Sequence, residues 1–488
     1  MAGLFWGAFS EPFPLAEFCT RRHRAWVLLF WERPRSSAVT GQTFLLVMAT
    51  AGLAYLAALR LAQGLRSSPA AAVVLLGVVP LVLLATLAPG YPLLSSDIFK
   101  YVFDGRILAV YGQNPFLHVP AEFPDDRFYS MVYWRAVTNA HGPLWRLAEA
   151  GSALVGGERC TDAVLAMKVW PGLAYLGTTG ALFALLRAWQ PERAVWGTMV
   201  YAWNPLVLLE ALQNGHNDVV AALPALGAVW ATLRGSVRWA FPLLAVAALI
   251  KPLALALGPL LLLAALRRPD GSVRALRRDV AVGLGSGAGL VALAYLPFWE
   301  GPATLRGLAR GHLFSASPAE LLLLALQAAG LPLDRALAAA SAAASGLYLV
   351  LLMSLLLAAW SGRLPLPAAA LGVFFLYLLV GAQWFNPWYL LWLAPLAALV
   401  PEGPPRALGI AFTLLAPLTY PFQYEVVPIV LAVFAPMALL AIRWHRWLGW
   451  PGPLATGRSR RARGGRRQWA SFLVERGSWF LVPRGRRP

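Results

Sequence analysis

Residues 70–89 read AAAVVLLGVVPLVLLATLAP and contain no charged side chain. About 20 apolar residues form a helix long enough to cross a hydrocarbon core roughly 30 Å thick. Comparable stretches recur from Phe44 to Ile442, separated by Arg, Pro and Gly. Because lipid cannot satisfy free backbone amides, and because these stretches lack the alternation of barrel strands, they must be helices. The sequence therefore predicts an all-α integral membrane protein, a multi-pass helical bundle.

The composition agrees with lipid as the main solvent. Of the 488 residues, 59% are hydrophobic and 13% are charged, whereas soluble domains carry about 25% charged residues.

The hydropathy pattern predicts about 11 to 13 transmembrane helices. We favour two half-length helices that meet at Lys251-Pro252, since proline disfavours helical geometry in the residue before it. The predicted spans are 44–62, 70–89, 164–187, 194–212, 217–234, 239–250, 252–266, 278–297, 337–360, 366–381, 387–400, 406–421 and 425–443.

The formal net charge of +19 rests mainly on arginine, much of it between residues 267 and 278 and in the tail after Trp450. Basic loops of this kind mark the cytoplasmic side and attract membrane lipids, so nucleic acid is not needed to explain the charge. The long polar segments 90–163 and 300–334 then both fall on the extracytoplasmic side. Long loops often carry functional residues, and we expect the site there.

These charges divide the chain into three parts. Residues 43–443 form the transmembrane domain, and residues 444–488 form a basic tail that we expect to be disordered and cytoplasmic. The N-terminal segment 1–42 falls outside by the same parity although it is basic. Either it is an interfacial helix or the first span is misplaced. Cys19 and Cys160 lack metal-ligand spacing, and the sequence leaves a disulfide between them open.

The most informative polar stretch runs from Ser95 to Arg106, directly after the 70–89 span. A helix starting at Ser96 would place Asp97, Tyr101 and Asp104 on one face. A carboxylate at the lipid boundary that accepts a proton from a hydroxyl suits a general base. Alternatively, Ser96 or Asp97 caps the helix and Asp104 pairs with Lys100 or Arg106.

Polar residues recur at three further places. The turn Gln213–Asp218 is polar at nearly every position, which is costly near a membrane unless the side chains pair or face a cavity; capping of the next helix explains only one of them. Lys251 lies between apolar runs and needs an anion, for which a phosphate is a natural partner and snorkelling to headgroups the alternative. His141 opens a helix, where it binds substrate or serves as a local hydrogen-bond partner.

An aromatic run extends from Gln383 to Tyr389 and includes Trp384 and Trp388. Aromatic belts at membrane interfaces explain most clusters of this kind. Tryptophan and tyrosine rings also stack on sugar faces. Both interpretations stay open from the sequence.

Together these motifs resemble the GT-C type of polyprenyl-phosphate-sugar-dependent glycosyltransferases, especially bacterial polyprenol-phosphate-mannose-dependent mannosyltransferases. The resemblance rests on motifs that cover about a tenth of the chain and keep the expected order; at His141 related enzymes tend to have tyrosine before Gly-Pro. The motifs are Ser96-Asp97 to Tyr101, Gly105-Arg106, Tyr111–Phe116, Ala140–Trp145, Gly215–Asp218 and Asn386–Tyr389.

The resemblance implies a GT-C-like fold and an inverting hexosyltransferase. It transfers a sugar, mannose by the resemblance, from a polyprenyl-phosphate donor to a glycolipid or polysaccharide acceptor outside the plasma membrane. Asp97 would be the base, with Asp104 as second choice. Residues assigned to substrate binding are Tyr101, Arg106, Asn114, His141, His216, Asn217, Asp218, Lys251 and Trp388.

No cofactor is required by this chemistry. Asp97, Asp104 and Asp218 could gather around a divalent metal, but nothing in their spacing demands one. The rival interpretation is a multi-pass flippase or transporter of lipid-linked sugars, in which polar residues and a helix broken at Lys251 would line a passage. We favour the enzyme, because the chain shows no convincing internal repeat and its long outer segments suit an extracytoplasmic site.

Overall fold

A computed structural model describes residues 1–20, 38–64, 69–138, 140–267, 273–308, 313–422 and 425–443. The predicted basic tail and the arginines between 21 and 37 lie outside these residues. Within the described residues the chain is helical and forms only isolated bridges instead of strands, which confirms the predicted all-α class. In the part of the chain that the structure describes, six helices are long and apolar enough to cross a membrane: Gly41–Ala62, Pro69–Leu87, Cys160–Trp189, Val273–Phe298, Leu333–Trp360 and Val426–Arg443.

Shorter helices fill the interior between these six. Many of them are buried on nearly every face. Because these helices contact protein instead of lipid, each of them need not be long enough to cross the membrane alone. Pro224 and Pro242 lie within two of them. The shorter helices are Ala194–Ala202, Pro205–Val207, Leu208–Gln213, Asp218–Arg234, Val237–Ile250, Gly258–Leu266, Pro318–Ala328, Leu366–Leu376, Leu393–Leu399 and Pro404–Leu415.

The predicted break at Lys251-Pro252 is confirmed. Helix Val237–Ile250 ends there, Lys251 is extended with φ −144° and ψ 115°, and a 3-10 turn Pro252–Leu257 leads into helix Gly258–Leu266. Since proline lacks the N–H that would continue the ladder, the chain turns at this point. The Lys251 side chain consequently leaves the helix surface and reaches a neighbouring element.

The N-terminal segment packs onto one end of the bundle. Short helices Ala2–Phe5, Trp6–Ser10 and Leu15–Thr20 bury Phe5, Phe9 and Leu15. The Leu15 amide donates to the Pro89 carbonyl at 3.0 Å. Cys19 and Cys160 form a disulfide, which the sequence left open. Residues 1–20 thus sit beside the start of helix Cys160–Trp189.

The two long polar segments meet at this same end, which we call the polar end and define by residues 90–138, 140–158, 299–308 and 313–317. Helix Asp97–Ala109 packs on helix Pro143–Gly156 so closely that a Cβ at Gly105 would overlap the Glu149 carbonyl. Asn114 joins the two segments, because its amide donates to the Phe298 carbonyl at 2.8 Å and to Glu300 at 2.9 Å. Short 3-10 turns complete this end at Pro120–Glu122, Tyr129–Met131 and Ala303–Leu308.

Candidate active site

Helix Asp97–Ala109 begins at the polar end with Asp97 in its first turn. Ser96 occupies the N-cap position but makes no side-chain capping bond, while the Asp97 amide donates to the Ser95 hydroxyl at 3.1 Å. The Asp97 side chain is 26% exposed. A carboxylate at a helix N-terminus is stabilised in its charged form by the helix dipole. Asp97 therefore lies at a helix N-terminus within reach of solvent.

His216 stands next to Asp97 on a turn of the neighbouring element. Its Nδ1 lies 3.9 Å from Asp97 Oδ2, and its Nε2 lies 3.4 Å from Glu210 Oε2, a geometry that leaves neither nitrogen hydrogen-bonded within the described structure. The ring is fully buried and stacks on Trp388, with centroids 4.1 Å apart. Burial lowers the pKa of His216 well below its ordinary value, and the Lys251 ammonium adds to this. The imidazole is consequently neutral.

Glu210 supports His216 from behind and was missed by the sequence interpretation. Its carboxylate accepts hydrogen bonds from Tyr420 at 2.6 Å and from Asn214 at 2.9 Å, and its backbone carbonyl accepts from the His216 amide at 3.0 Å. The signal was present, because Glu210 interrupts the apolar run around Leu208–Leu212. A carboxylate inside such a run is costly unless it is paired or functional.

Asp218 and Lys251 form a buried ion pair beside His216. Lys251 Nζ lies 2.6 Å from Asp218 Oδ2, and Trp392 Nε1 donates to Asp218 Oδ1 at 2.7 Å. The Lys251 ammonium also lies 4.9 Å from the centre of the Tyr389 ring. The anion that the sequence demanded for Lys251 is thus a carboxylate of the protein. An ammonium has three N–H donors, and the Lys251 side chain keeps 15% of its surface exposed.

Asn217 lies between His216 and Asp218 and is fully buried. Within the described residues, neither its side-chain oxygen nor its nitrogen has a hydrogen-bond partner. An unsatisfied buried amide costs about 1 to 3 kcal/mol. Native proteins retain few such groups, and each requires a reason, for example a ligand or water.

Asp104 occupies a different environment from Asp97 although both belong to one helix. It is fully buried, pairs with Lys100, and lies 2.6 Å from Arg146 Nη1, which also contacts Glu149 at 2.9 Å. Burial raises the pKa of Glu149 to about 8 against the opposing effect of Arg146. The pairing with Lys100 that the sequence offered as the alternative is present. Asp104 therefore links helix Asp97–Ala109 to helix Pro143–Gly156. Its carboxylate is not part of the group of residues around Asp97.

Arg106 and Asn114 have structural partners. Arg106 donates to Asp126 and to Glu158, each at 2.8 Å, and stacks over the Phe128 ring. Asn114 bridges to Phe298 and Glu300 as described above. Both residues fix the polar end of the bundle, and neither is brought to the Asp97 cluster by the contacts described here.

Tyr101 and His141 contact each other one turn away from Asp97. Their ring centroids are 5.3 Å apart, and the Tyr101 ring also meets Trp145 edge to face at 5.4 Å. The turn after His141 is tight, since the Gly142 amide donates to the Ile250 carbonyl at 3.1 Å and a Cβ there would overlap Leu249. His141 is thereby placed beside the break that precedes Lys251.

The structure thus brings together Asp97, His216, Asn217, Asp218, Lys251 and Trp388 among the predicted residues and adds Glu210. We call these seven residues the Asp97 cluster. Within the described part of the chain, no group of three or more His, Cys, Asp or Glu side chains has an arrangement that could hold a metal ion. A small cavity at the border of the cluster is lined by Asn386 and Tyr420, among others.

Residues 84–267 match the family model described as the N-terminal domain of alpha-(1->6)-mannopyranosyltransferases, a GT-C-type mannosyltransferase family. The match confirms the family resemblance over the segment that contains Asp97, Glu210, His216 and Lys251. No curated protein and no solved structure matches the chain. Together with the membrane-spanning helices, the match supports a membrane mannosyltransferase.

Proposed function

We propose that the protein transfers mannose from a polyprenyl-phosphate donor to a glycan or glycolipid acceptor on the extracytoplasmic face of the plasma membrane. The reaction inverts the anomeric centre, and Asp97 is the general base. The proposal rests on the family match, on the multi-pass fold and on the geometry of the Asp97 cluster.

One observation carries the assignment of the base. Within the Asp97 cluster, the Asp97 side chain is 26% exposed, whereas the Glu210 and Asp218 side chains are fully buried. A base must come within hydrogen-bond distance of the proton that it removes. An acceptor hydroxyl can reach the Asp97 carboxylate from solvent, whereas the Glu210 and Asp218 side chains are enclosed by protein.

The proposed step is a direct displacement. The acceptor hydroxyl gives its proton to the Asp97 carboxylate while its oxygen attacks the anomeric carbon of mannose. The bond between that carbon and the phosphate oxygen breaks, and polyprenyl phosphate leaves with the electron pair. Neutral His216, backed by Glu210, lies beside Asp97, with its Nδ1 3.9 Å from Asp97 Oδ2.

The other cluster residues are suited to the donor. Lys251 has N–H donors beyond the one directed at Asp218, and these would stabilise the negative charge that develops on the leaving phosphate. Asn217 offers one amide with donors and an acceptor for sugar hydroxyls. The Trp388 ring, held flat against His216, gives an apolar wall that a sugar face can contact.

Two features support this side of the membrane. The Cys19–Cys160 disulfide lies at the polar end, and disulfides persist in oxidising compartments outside the cytosol. Arg60 lies in the last turn of helix Ala38–Ala62 and Arg267 directly follows helix Gly258–Leu266, and basic residues at helix ends favour the cytoplasm. A lipid-phosphate donor is the form of activated mannose that such a site would encounter.

A transfer assay tests the function. Purified protein is incubated with radiolabelled polyprenyl-phosphate-mannose and a membrane glycolipid extract, with GDP-mannose as the comparison donor. We expect label transfer from the lipid donor alone and an α-linked product from a β-linked donor. Transfer from GDP-mannose, retention of configuration, or lipid scrambling in liposomes without any transfer would each overturn the proposal.

A further inference from the structure

Three aromatic side chains form a half-exposed patch at the polar end. Tyr133 is 53% exposed and meets Trp134 edge to face at 5.1 Å, and Trp134 meets Trp384 at 5.7 Å. Trp134 and Trp384 are themselves partly exposed. We call Tyr133, Trp134 and Trp384 the aromatic patch. It connects the 90–158 segment to the loop that contains Trp384. None of its three residues belongs to the Asp97 cluster.

The backbone under Trp384 is fixed on both sides. The Ser315 amide donates to the Gln383 carbonyl at 3.1 Å, and the Phe385 amide donates to the Ser315 carbonyl at 2.9 Å. The Ser317 hydroxyl donates to the same Gln383 carbonyl at 2.6 Å. A ring held in this way loses little freedom when a ligand binds, which favours affinity.

The patch lies close to the reaction centre along the chain. Trp384 and Trp388 are four residues apart, so their Cα atoms are separated by at most about 14 Å even in a fully extended chain. Trp388 stacks on His216, which contacts Asp97. The patch therefore lies within reach of a chain molecule whose end is at Asp97.

The surroundings of the patch favour water over lipid. Asp125 is exposed and Arg127 has a 58% exposed side chain in the same segment, while Arg135 stacks over the Tyr129 ring. Charged side chains within the hydrocarbon region are expensive. Carbohydrate is a ligand that combines hydroxyl groups with an apolar face suited to an aromatic ring.

We propose that the aromatic patch binds the acceptor glycan, stacking on sugar residues next to the one that receives mannose. This inference rests on the proposed function and adds an acceptor subsite of defined chemistry. It predicts that acceptors with several sugars bind more tightly than an acceptor with one sugar, and that the patch carries the difference.

Kinetics with two acceptors test the proposal. A Trp134→Ala/Trp384→Ala variant should raise KM about tenfold for a lipid acceptor that carries four mannoses. Its KM for the one-mannose acceptor, its KM for the donor and its kcat should stay unchanged. Trp384→Phe retains a ring and should recover most of the affinity. Trp299→Ala removes another half-exposed tryptophan that lies outside the patch, and it should behave as wild type.

A binding measurement separates failure of this inference from failure of the proposed function. Saturation-transfer NMR with soluble α-1,6-linked mannotetraose reports contact without turnover. We expect transfer to the wild type and its loss in the double variant. The subsite would be overturned if the double variant had the same KM as the wild type for each acceptor. It would also be overturned if the NMR contact with mannotetraose were unchanged in the double variant. That result with intact mannose transfer would leave the enzyme in place and make the patch an interfacial belt.

Discussion

Asn217 is a polar side chain whose burial has no evident benefit in the folded protein alone. Its amide is fully buried and has no hydrogen-bond partner within the described residues. Such a group lowers stability unless a ligand or water satisfies it. Its position between His216 and Asp218 suggests that the cost is retained for substrate binding.

Replacement of Asn217 tests whether its buried amide lowers stability and serves substrate binding. We expect Asn217→Leu to leave the free energy of unfolding unchanged or to raise it by about 1 kcal/mol, because an unsatisfied amide is removed. The same variant should raise the donor KM at least tenfold. Thermal unfolding in detergent and donor titration measure the two effects. A variant that is strongly destabilised with an unchanged donor KM would show that the amide is structural.

The neutral state of His216 makes the stability of the protein depend on pH. Burial and the Lys251 ammonium lower the pKa of His216 in the folded chain. In the unfolded chain the pKa of a histidine is about 6.5. Below that pH the unfolded state binds one more proton, so folding becomes less favourable as pH falls. The loss amounts to at most about 1.4 kcal/mol for each pH unit.

A His216→Phe variant keeps an aromatic ring against Trp388 and removes the titration. Its free energy of unfolding should fall less steeply than that of the wild type between pH 6.5 and 5. Urea or thermal unfolding at several pH values in one detergent gives the two slopes. Identical slopes would show that His216 titrates alike in the folded and the unfolded chain, which contradicts a lowered pKa.

Lys251 follows helix Val237–Ile250 and connects it to a second interior helix through an ion pair. Lys251 pairs with Asp218 at the start of the helix Asp218–Arg234, and the Asp218 side chain is fully buried. Removal of one partner from a buried pair leaves an uncompensated charge and costs about 3 to 5 kcal/mol. Since Lys251 is 15% exposed, the lower end of this range applies.

We expect Lys251→Met alone to lower the free energy of unfolding by about 3 kcal/mol. The double variant Lys251→Met/Asp218→Asn should recover most of that loss, because no charge is left unpaired and the new amide oxygen still accepts from Trp392. Thermal unfolding of both variants measures the coupling. Additive losses in the double variant would mean that the two charges do not interact.

The orientation of the whole bundle depends on which side of the membrane the polar end faces. Cys19 and Cys160 are separated by 141 residues and form a disulfide there. In intact cells, a membrane-impermeant phosphine followed by a membrane-impermeant maleimide should label both cysteines. A Cys19→Ser/Cys160→Ser variant is the control and should remain unlabelled. Labelling only after the cells are permeabilised would place the polar end in the cytoplasm.

Much of the architecture could be predicted from the sequence, since it depends on local properties. Apolar length determines the spans, and Pro252 determines the break after Lys251. The partners could not be predicted, because they come from distant parts of the chain. Asp218 lies 33 residues from Lys251, and Arg106 contacts Asp126 and Glu158.

The candidate site shows the same division between local and distant information. The stretch around Asp97 and the turn around His216 were recognisable by their polarity within apolar surroundings. Their contact comes from the packing of helix Asp97–Ala109 against the turn that carries His216. The burial of Asp104, in contrast to partly exposed Asp97, comes from the packing of the same helix against helix Pro143–Gly156. Glu210 was missed because its single charge was averaged into an apolar span.

The central claim is that Asp97 removes the proton from the acceptor, and a comparison of two matched variants tests it most directly. Asp125 lies in the same segment and is exposed, so Asp125→Asn is the control and should keep the wild-type kcat. With polyprenyl-phosphate-mannose and a glycolipid acceptor at saturation, Asp97→Asn should lower kcat by about 10² to 10⁴. Wild-type kcat in Asp97→Asn, with transfer intact in the control, would contradict the assignment.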